Sequence, residues 1–470
     1  MIIGIIIFYL GAMVAVGFAY RKRASQDTEN YLVAGRSMGP VIGSGVLASS
    51  YASTSSFLGT LGAMYALGIA FGMWQNLGAI TGFALAAIFI APRFRKYMPL
   101  SFAEFFEKRY DNRVRFVAAC VTVVAMFVYL LIQLQGGAYA MSYVLGVEHH
   151  IGVMVIGVIL LTYVGLGGSH SSKMANFIQF SMMMIAMLTV TVVALVVQPW
   201  GTTVSEALSN ESFAFDLGGD FGLFAGVSVT LMMALGVISS PHVYLIFMWA
   251  KSAKAAQQTA ALSTTWLAIF YTILLFVGAY IIATYLGLED PDMGYFEVLN
   301  LLPLVLIGIF VAAVLAAAMS TADTQLLNAT SAITNDLFQA FKGRPIDARR
   351  RVTVNRIVML FIGVGAIIFA LDPPELILWL LAVAQSIMIG AFLMPIVLGL
   401  FWKKATATAA LAGMLAGFAV AVATQFLPMP NEFIGGPIAG LVSFVVMVAV
   451  SVSQHRFGPS GDSEMKSVRF

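Results

Sequence analysis

Oxygen-bearing side chains are concentrated in one apolar segment of the chain, residues 316–338, which reads AAAMSTADTQLLNATSAITNDLF. On a helix, its small and polar residues recur every three or four positions and form one face: Ala317, Ser320, Thr321, Thr324, Asn328 and Ser331. Sodium is a hard cation that several neutral oxygens from carbonyl and hydroxyl groups can satisfy. We therefore predict that Ser320 and Thr321 provide hydroxyl oxygens, and Ala317 a carbonyl oxygen, to a sodium ion.

These hydroxyls also have a structural interpretation. Serine and threonine in a membrane helix often bond to their own helix or pack as small residues against a neighbour. Asp323 favours the functional interpretation, because a carboxylate inside an apolar segment is costly and usually serves a function. Asp323 does not share the face of Ser320. We therefore assign Asp323 a gating or structural role, in positioning the helix or in lining the inner exit path of the ion.

The elements that position these residues must be membrane helices. Of the 470 residues, 60% are hydrophobic and only 10% are charged, which excludes a soluble globular fold. Apolar runs of about twenty residues, the length that spans a bilayer as a helix, follow one another from end to end. The sequence predicts a single all-α, polytopic transmembrane domain over residues 1–470, embedded in the lipid bilayer. The net charge of +3 gives no indication of a nucleic-acid partner.

The apolar runs predict about thirteen spans. They lie near residues 1–20, 41–64, 70–91, 116–141, 150–167, 177–198, 222–247, 258–285, 303–335, 355–371, 376–401, 406–427 and 434–453. With the N-terminus outside, all 25 lysine and arginine residues fall on the cytoplasmic side, and the outer loops carry acidic residues instead. Because cytoplasmic loops collect basic residues, we predict a multi-pass protein of the inner (plasma) membrane with an outer N-terminus and a cytoplasmic C-terminus.

Spans two and seven contain residues that interrupt helices. Span two carries a run of Ser, Thr and Gly over residues 43–62, and span seven contains Gly236 and then Pro241. Transporters with inverted repeats bind their ligands at such breaks near the middle of the membrane. Since the two spans are five apart, we predict an inverted repeat. The predicted parts are a first helix (1–20), a first repeat (41–198), a second repeat (222–401), two last helices (406–453) and a disordered cytoplasmic tail (454–470).

Four stretches carry a resemblance to a known family: AAAMSTADTQLLNATSAITNDLF, FAYRKRASQDTENYLVAGRSMGP, TYVGLGGSHSSKMANFIQ and SSPHVYLIFMWAKSAKAA. In this order, over nearly the whole chain, they resemble the sodium/solute symporter family. The resemblance implies a LeuT-like fold of thirteen spans with a 5+5 inverted repeat and alternating access driven by sodium. It also implies that the sodium site joins residues of span nine and of the broken span two: Ala317, Ser320, Thr321, Ser49 and Ala52.

Two positions depart from the pattern of many family members. Asn176 stands where many members carry an aspartate, so we expect one coupled sodium ion and no second site that uses this residue. Ile246 stands where many members carry an arginine, so no contact of that arginine is transferred to this chain.

The residues around the two breaks indicate the solute. Hydroxyl and N–H groups at the start of the outer half of span two can bind a carboxylate, and no lysine or arginine lies in the membrane core. A small, singly charged acid fits this setting, and STSSFLGTLG with VYLLIQLQGGA looks most like the acetate and monocarboxylate permeases. The predicted solute-binding residues are Ser53, Thr54, Ser56, Gln75, Gln133, Gly236 and Ser239. Pro241 and the following His242 are expected to be structural.

Several alternatives remain open. The same fold could carry proline, sialic acid or a sugar, could conduct a solute passively as a facilitator, or could act as a sensor through a separate partner. A membrane enzyme is disfavoured, because Asp323 alone does not make a catalytic cluster. The sequence also lacks the phosphate-binding loop of an ATP-driven pump. A monomer is expected to suffice for transport.

Overall fold

The structure is a computed structural model that describes residues 1–197, 222–285, 287–300, 302–342, 346, 348–372 and 377–457. The whole of the predicted loop between spans six and seven, residues 199–221, lies outside the described residues together with residue 198, as does the predicted tail from residue 458 onward. Within the described ranges the chain consists of helices joined by short turns.

In chain order, the α-helices of the described residues are α1 (Ile2–Ala24), α2 (Thr28–Val33), α3 (Pro40–Tyr51), α4 (Thr60–Leu67), α5 (Ile69–Leu85), α6 (Ala91–Lys96), α7 (Phe102–Arg109), α8 (Asn112–Leu145), α9 (His149–Val197), α10 (Leu223–Ser239), α11 (Pro241–Trp249), α12 (Ala253–Thr284), α13 (Gly294–Leu299), α14 (Leu304–Ser331), α15 (Phe338–Lys342), α16 (Ala348–Ala370), α17 (Ile377–Met388), α18 (Met394–Phe401), α19 (Ala407–Ala423) and α20 (Gly435–Phe457). Short π-helices join or extend some of them, at Ser55–Gly59, Ala86–Ile90, Ala332–Leu337 and Ile389–Leu393.

The all-α membrane fold class is confirmed. In the described part of the chain, nine helices are long and apolar enough to cross a membrane, or ten if the bent pair α10 and α11 counts as one span. Three local features explain the difference from thirteen. Span two is broken into short pieces, α19 has only 17 residues, and α9 runs through both span five and span six with a kink at Gly168 (φ 53, ψ −147). The count of thirteen and the inverted repeat stay predictions.

Polar residues begin several helices where the sequence offers a cap. The side chain of Asp111 accepts hydrogen bonds from the N–H groups of Arg113 and Val114 at 2.9 Å, which starts α8. The last helix ends at Phe457, so the predicted start of the disordered tail at residue 454 is wrong by four residues. The reason is local, because the first helix-breaking residues, a glycine and a proline, follow only after Phe457.

Helix α14 is the buried centre of the bundle. Every residue from Phe310 to Ser331 is buried, and the helix packs against α1, α3, α8 and α9. The polar side chains of this segment therefore face other helices rather than lipid. This placement is what an oxygen-rich face needs at membrane depth, where an unpartnered polar group is costly.

Both predicted breaks are present. Helix α3 ends at Tyr51, Ala52 has φ −71 and ψ 78, and the chain resumes as the π-helix Ser55–Gly59 before α4. In span seven, Ser240 is extended with φ −80 and ψ 113, and the axis of α11 is bent by 42° from that of α10. Pro241 begins α11, where its missing N–H costs nothing because the first N–H groups of a helix have no helical partner.

Basic residues gather at one end of the bundle, which we call the basic end and define by Arg95, Arg109 and Arg115. Arg95 Nε donates to the Ala250 carbonyl at 2.8 Å, and Arg109 Nε donates to the Gly399 carbonyl at 2.6 Å. The arginines thus bond to the last carbonyls of neighbouring helices, which they complement in charge. The grouping agrees with the predicted partition of charge, while the side of the membrane that this end faces stays a prediction.

The basic end is closed by a buried ion pair and by packed aromatic rings. Arg115 Nε lies 2.8 Å from Asp336 Oδ1, and both side chains are buried. On α7, the ring of Phe102 packs at 5.2 Å from that of Tyr244 and at 5.0 Å from that of Phe392. We call these contacts the basic-end seal. They join α7 and α8 to the segments that follow α10, α14 and α17.

Candidate functional site

Four of the five predicted sodium ligands meet between α3 and α14. Ser320 Oγ donates to the Ser49 carbonyl at 2.9 Å, and Thr321 Oγ1 lies 3.4 Å from the same carbonyl. Both hydroxyls also lie 3.2 Å from the Ala317 carbonyl. Two hydroxyls and two carbonyl oxygens from two helices are therefore in mutual contact, in a fully buried position.

Ala52, the fifth predicted ligand, is the residue at which α3 gives way to the break. Its N–H still donates to the Ala48 carbonyl at 2.8 Å, as in a last helical turn. Its own carbonyl follows that turn, where helix geometry provides no partner. The position is thus suited to supply a further oxygen.

This set of groups fits a sodium ion. All its members are neutral oxygens, they come from two helices that approach closely, and they are shielded from solvent. Hard cations prefer such oxygen ligands over nitrogen or sulfur. Ser49, Ala52, Ala317, Ser320 and Thr321 are the residues that would hold the ion.

Asp323 does not belong to this oxygen cluster but lies next to it. Its carboxylate accepts hydrogen bonds from Tyr163 Oη at 3.1 Å and from Asn176 Nδ2 at 3.3 Å. Asn176 Nδ2 also donates to the Ser320 carbonyl at 3.0 Å. An ionised aspartate at position 176 could not donate these bonds. The two residues tie α14 to α9.

The predicted solute-binding hydroxyls of span two are paired within the protein. Ser53 Oγ and Ser55 Oγ lie 2.6 Å apart, and Thr54 Oγ1 donates to Gln133 Oε1 at 2.9 Å. Ser56 Oγ lies 3.0 Å from the hydroxyl of Tyr271 on α12. The break therefore brings these side chains to one place, but their hydroxyls are engaged with one another and with neighbouring helices.

The other predicted solute-binding residues are Gln75, Ser239 and Gly236. Gln75 Nε2 donates to Thr60 Oγ1 at 2.9 Å, which joins α5 to α4. Ser239 Oγ bonds back to its own helix, to the carbonyls of Leu235 at 2.9 Å and Gly236 at 3.1 Å. A Cβ atom on Gly236 would overlap the side-chain oxygen of Gln385. The glycine thus allows span eleven to approach the break in span seven.

Three residues at the breaks were not identified from the sequence as binding residues: Tyr51, His242 and Gln385. The Tyr51 hydroxyl, both ring nitrogens of His242 and the Gln385 side-chain oxygen are buried and have no hydrogen-bond partner among the described residues. The only sequence signal was position, since His242 directly follows the helix-breaking proline and Gln385 lies within an apolar span.

Comparisons with known proteins agree with this geometry. The model of the sodium:solute symporter family matches residues 31–417. Sodium/proline symporters of Staphylococcus aureus, for example of strains USA300 and JH9, are 28% identical over 487 residues, with 98% of this chain and 94% of theirs covered.

Two solved structures share the fold. A substrate-bound, outward-open sodium-coupled sialic acid symporter superposes with a TM-score of 0.83 at 18% identity, over 97% of this chain and 98% of the other. A nucleobase-cation-symport-1 family transporter in a closed conformation superposes with a TM-score of 0.57 at 18% identity, over 93% and 97%. The family match spans most of the sequence and includes both breaks and the oxygen cluster. The chain therefore belongs to the sodium:solute symporter family, a family of membrane symporters rather than of enzymes, and sodium is its coupling ion.

Proposed function

We propose that the chain imports a small carboxylate-bearing solute together with sodium by alternating access, with a short monocarboxylate such as acetate or pyruvate as the expected solute. One observation carries the proposal. The last turn of α3 contributes Ser49 to the oxygen cluster, and the break that follows at once holds Ser53 and Thr54. Sodium and solute would therefore order the same short stretch of backbone, which couples their binding energies.

The charge of the site supports a small anion. Helices α3, α10 and α11, which form the breaks, contain no lysine or arginine. A bound carboxylate would be balanced by the sodium ion and by oriented backbone dipoles rather than by a fixed cation. A solute with one negative charge fits this balance best.

Proline is the second candidate. The relatives named sodium/proline symporters support it, and so do two unpaired acceptors near the breaks. Gln75 Oε1 and Gln385 Oε1 are buried and have no hydrogen-bond partner within the described ranges. A proline zwitterion would offer N–H donors to such oxygens, whereas acetate has none. A sialic acid or a sugar is a further alternative on the same fold.

Asp323 and Pro241 are assigned roles beside the ligands. Asp323, held by Tyr163 and Asn176, would position α14 and border the path from the oxygen cluster toward the basic end. Pro241 would fix the start of α11. We further propose that the basic end is cytoplasmic, that residues 41–198 and 222–401 form the two halves that rock, and that a monomer is sufficient.

Uptake into proteoliposomes tests the proposal. Labelled acetate, pyruvate and proline are offered with and without an inward sodium gradient at fixed pH. Sodium-driven accumulation of a carboxylate above its external concentration is the expected result, and the solute that accumulates decides between the candidates. Equilibration without accumulation would indicate a facilitator, and failure of all three solutes to enter would favour a sugar carrier or a sensor.

A further inference from the structure

Three hydrogen-bond donors at the breaks have no partner in the described part of the chain: the Tyr51 hydroxyl, Gln133 Nε2 and the ring N–H of His242. We infer that these groups, which we call the donor trio, bind the carboxylate of the transported solute through neutral hydrogen bonds. The inference rests on the proposed function, because it names the residues that recognise the carboxylate end of that solute.

The serine and threonine residues at the break in span two are already hydrogen-bonded, so they are less suited to bind the carboxylate. The N–H groups of Ser56 and Phe57 already donate to the Ser53 carbonyl at 2.9 and 3.1 Å. The N–H of Ser53 donates to the Tyr51 carbonyl at 2.8 Å, and its hydroxyl pairs with that of Ser55. Recognition of a carboxylate by this run would require breaking existing bonds, whereas the donor trio would only gain them.

The orientation of the Gln133 amide follows from its partner. Both the N–H and the hydroxyl of Thr54 donate to Gln133 Oε1, at 3.4 and 2.9 Å. Because a backbone N–H can only donate, the amide oxygen must face Thr54. Nε2 then points away from Thr54 as a free donor on a buried side chain.

His242 and Tyr51 meet where the two breaks approach each other. Their ring centroids are 6.4 Å apart, and the ring of Tyr129 lies 5.4 Å from that of His242 in an edge-to-face arrangement. Tyr129 and Gln133 are one helical turn apart on α8, so they share a face. The three members of the trio therefore come from α3, α8 and α11, with Tyr51 and His242 at the two breaks and Gln133 bonded to Thr54 of the first break.

The chemistry of the trio selects an acceptor. A neutral imidazole carries one N–H in either tautomer, and the trio also supplies an amide N–H and a phenolic O–H. A carboxylate accepts several hydrogen bonds and donates none. Buried donors without partners are rare in folded proteins, and a ligand is one of the explanations for them. Ser49, two residues before Tyr51 on α3, belongs to the oxygen cluster, so the same end of α3 would contact both the carboxylate and the sodium ion.

The test separates recognition of the carboxylate from transport in general. The assay measures uptake of the labelled solute that the wild type accumulates. The unlabelled acid and its carboxamide are compared as inhibitors of this uptake in the wild type, Tyr51→Phe, His242→Phe and His242→Gln. Both phenylalanine variants should raise the half-inhibitory concentration of the acid at least about tenfold, the usual effect of one hydrogen bond to a charged group. The value for the amide should change less than about threefold. His242→Gln, which keeps an N–H donor, should restore much of the discrimination.

Tyr295→Phe is the matched control. Tyr295 is also buried with an unpaired hydroxyl, but it lies on α13 and packs against Phe57. This variant should keep the preference for the acid. Tyr51→Phe should also keep or raise the unfolding temperature of the ligand-free protein, because it removes an unsatisfied group. A purely structural hydroxyl would instead lower it.

The outcomes distinguish the two proposals. Accumulation by the wild type with an unchanged acid preference in Tyr51→Phe and His242→Phe would overturn the donor trio and leave the proposed function intact. If the wild type accumulates no carboxylate, thermal stabilisation of the purified protein by acetate, pyruvate and proline decides. Stabilisation that is lost in Tyr51→Phe would support the trio, and no stabilisation by any of the three would overturn both proposals.

Discussion

Removal of a hydroxyl from the oxygen cluster should weaken sodium binding while leaving the fold intact. In the structure, Ser320 Oγ lies 2.9 Å from the Ser49 carbonyl and Thr321 Oγ1 lies 3.4 Å from it. Each hydroxyl also lies 3.2 Å from the Ala317 carbonyl. Ser320→Ala and Thr321→Ala each delete one oxygen and keep the two carbonyls. Alanine is favourable in a helix, so we expect α14 to remain as it is.

The magnitude follows from the kind of contact that is lost. A hydrogen-bonding group that contacts a charge contributes about 1.5–3 kcal/mol. Since about 1.4 kcal/mol corresponds to a tenfold change in an equilibrium constant, each variant should raise the half-saturating sodium concentration about 10- to 100-fold. We expect the larger effect from Ser320, whose hydroxyl is closer to the Ser49 carbonyl. The loss of folding stability should stay near 1 kcal/mol, the net value of a neutral hydrogen bond.

The assay is the initial rate of solute uptake at fixed solute and pH, as a function of external sodium. An inert cation keeps the ionic strength constant, because screening would otherwise change with sodium. Thr321→Ser retains the hydroxyl and should stay within about threefold of the wild type. Thr122→Ala is a second control. The buried Thr122 hydroxyl donates to the Ala118 carbonyl of its own helix, α8, at 2.7 Å, and α8 provides no member of the oxygen cluster.

An unchanged sodium dependence in both alanine variants would refute the assignment of the oxygen cluster. A reduced maximal rate with an unchanged half-saturating sodium concentration would refute it as well, because it would place the hydroxyls in a later step. The double variant gives a further check. Its effect should be smaller than the product of the single effects, since the two hydroxyls share the Ser49 carbonyl.

Three other perturbations have defined outcomes. Gly236→Ala should destabilise the protein by about 1–3 kcal/mol through overlap with Gln385, and a second change, Gln385→Ala, should restore the unfolding temperature in detergent. Gly417→Ala should lower the same temperature because its Cβ would overlap the Gly390 carbonyl. Gly11→Ala on α1, where a Cβ would meet only open space, should not lower it. Burial, helped by a neighbouring aspartate, raises the pKa of Asp292 to about 6. An acid whose pKa is higher in the folded state binds its proton more tightly there, so stability should fall by at most about 3 kcal/mol as the pH rises from 4 to 6, and Asp292→Asn should remove this dependence in thermal unfolding.

The oxygen cluster illustrates what the sequence can predict. Helical periodicity alone placed Ala317, Ser320 and Thr321 on one face, because the 3.6-residue repeat is a local property of the chain. The pairing with Ser49 could be predicted only from the resemblance of the chain to the family. Nothing in the local sequence indicates which residues of two different spans will lie close together. The helix breaks in spans two and seven were also predictable from local sequence, because proline and Ser-Gly-rich runs interrupt the helix that contains them.

The donor trio illustrates what the sequence could not predict. Tyr51 and His242 lie on different spans, and their contact depends on how two interrupted helices approach each other. A histidine after a proline also occurs for purely structural reasons, so its type carried no signal. Residues 168–176, which lie between the predicted spans 150–167 and 177–198, belong to α9 and follow a kink at Gly168, because glycine-rich segments can interrupt a helix without ending it.

The basic-end seal has a consequence for the speed of the transport cycle. Its contacts join α7 and α8 to segments around Asp336, Tyr244 and Phe392, which belong to the other predicted half of the protein. If the two predicted halves separate at this end, Arg115 must leave Asp336, and an uncompensated buried charge costs about 3–5 kcal/mol. If that cost enters the barrier in full, release slows by a factor of about 150 to 5000. We therefore expect the seal to limit the turnover rate. Weakening the seal should raise the turnover rate and reduce coupling, so that some solute crosses without sodium.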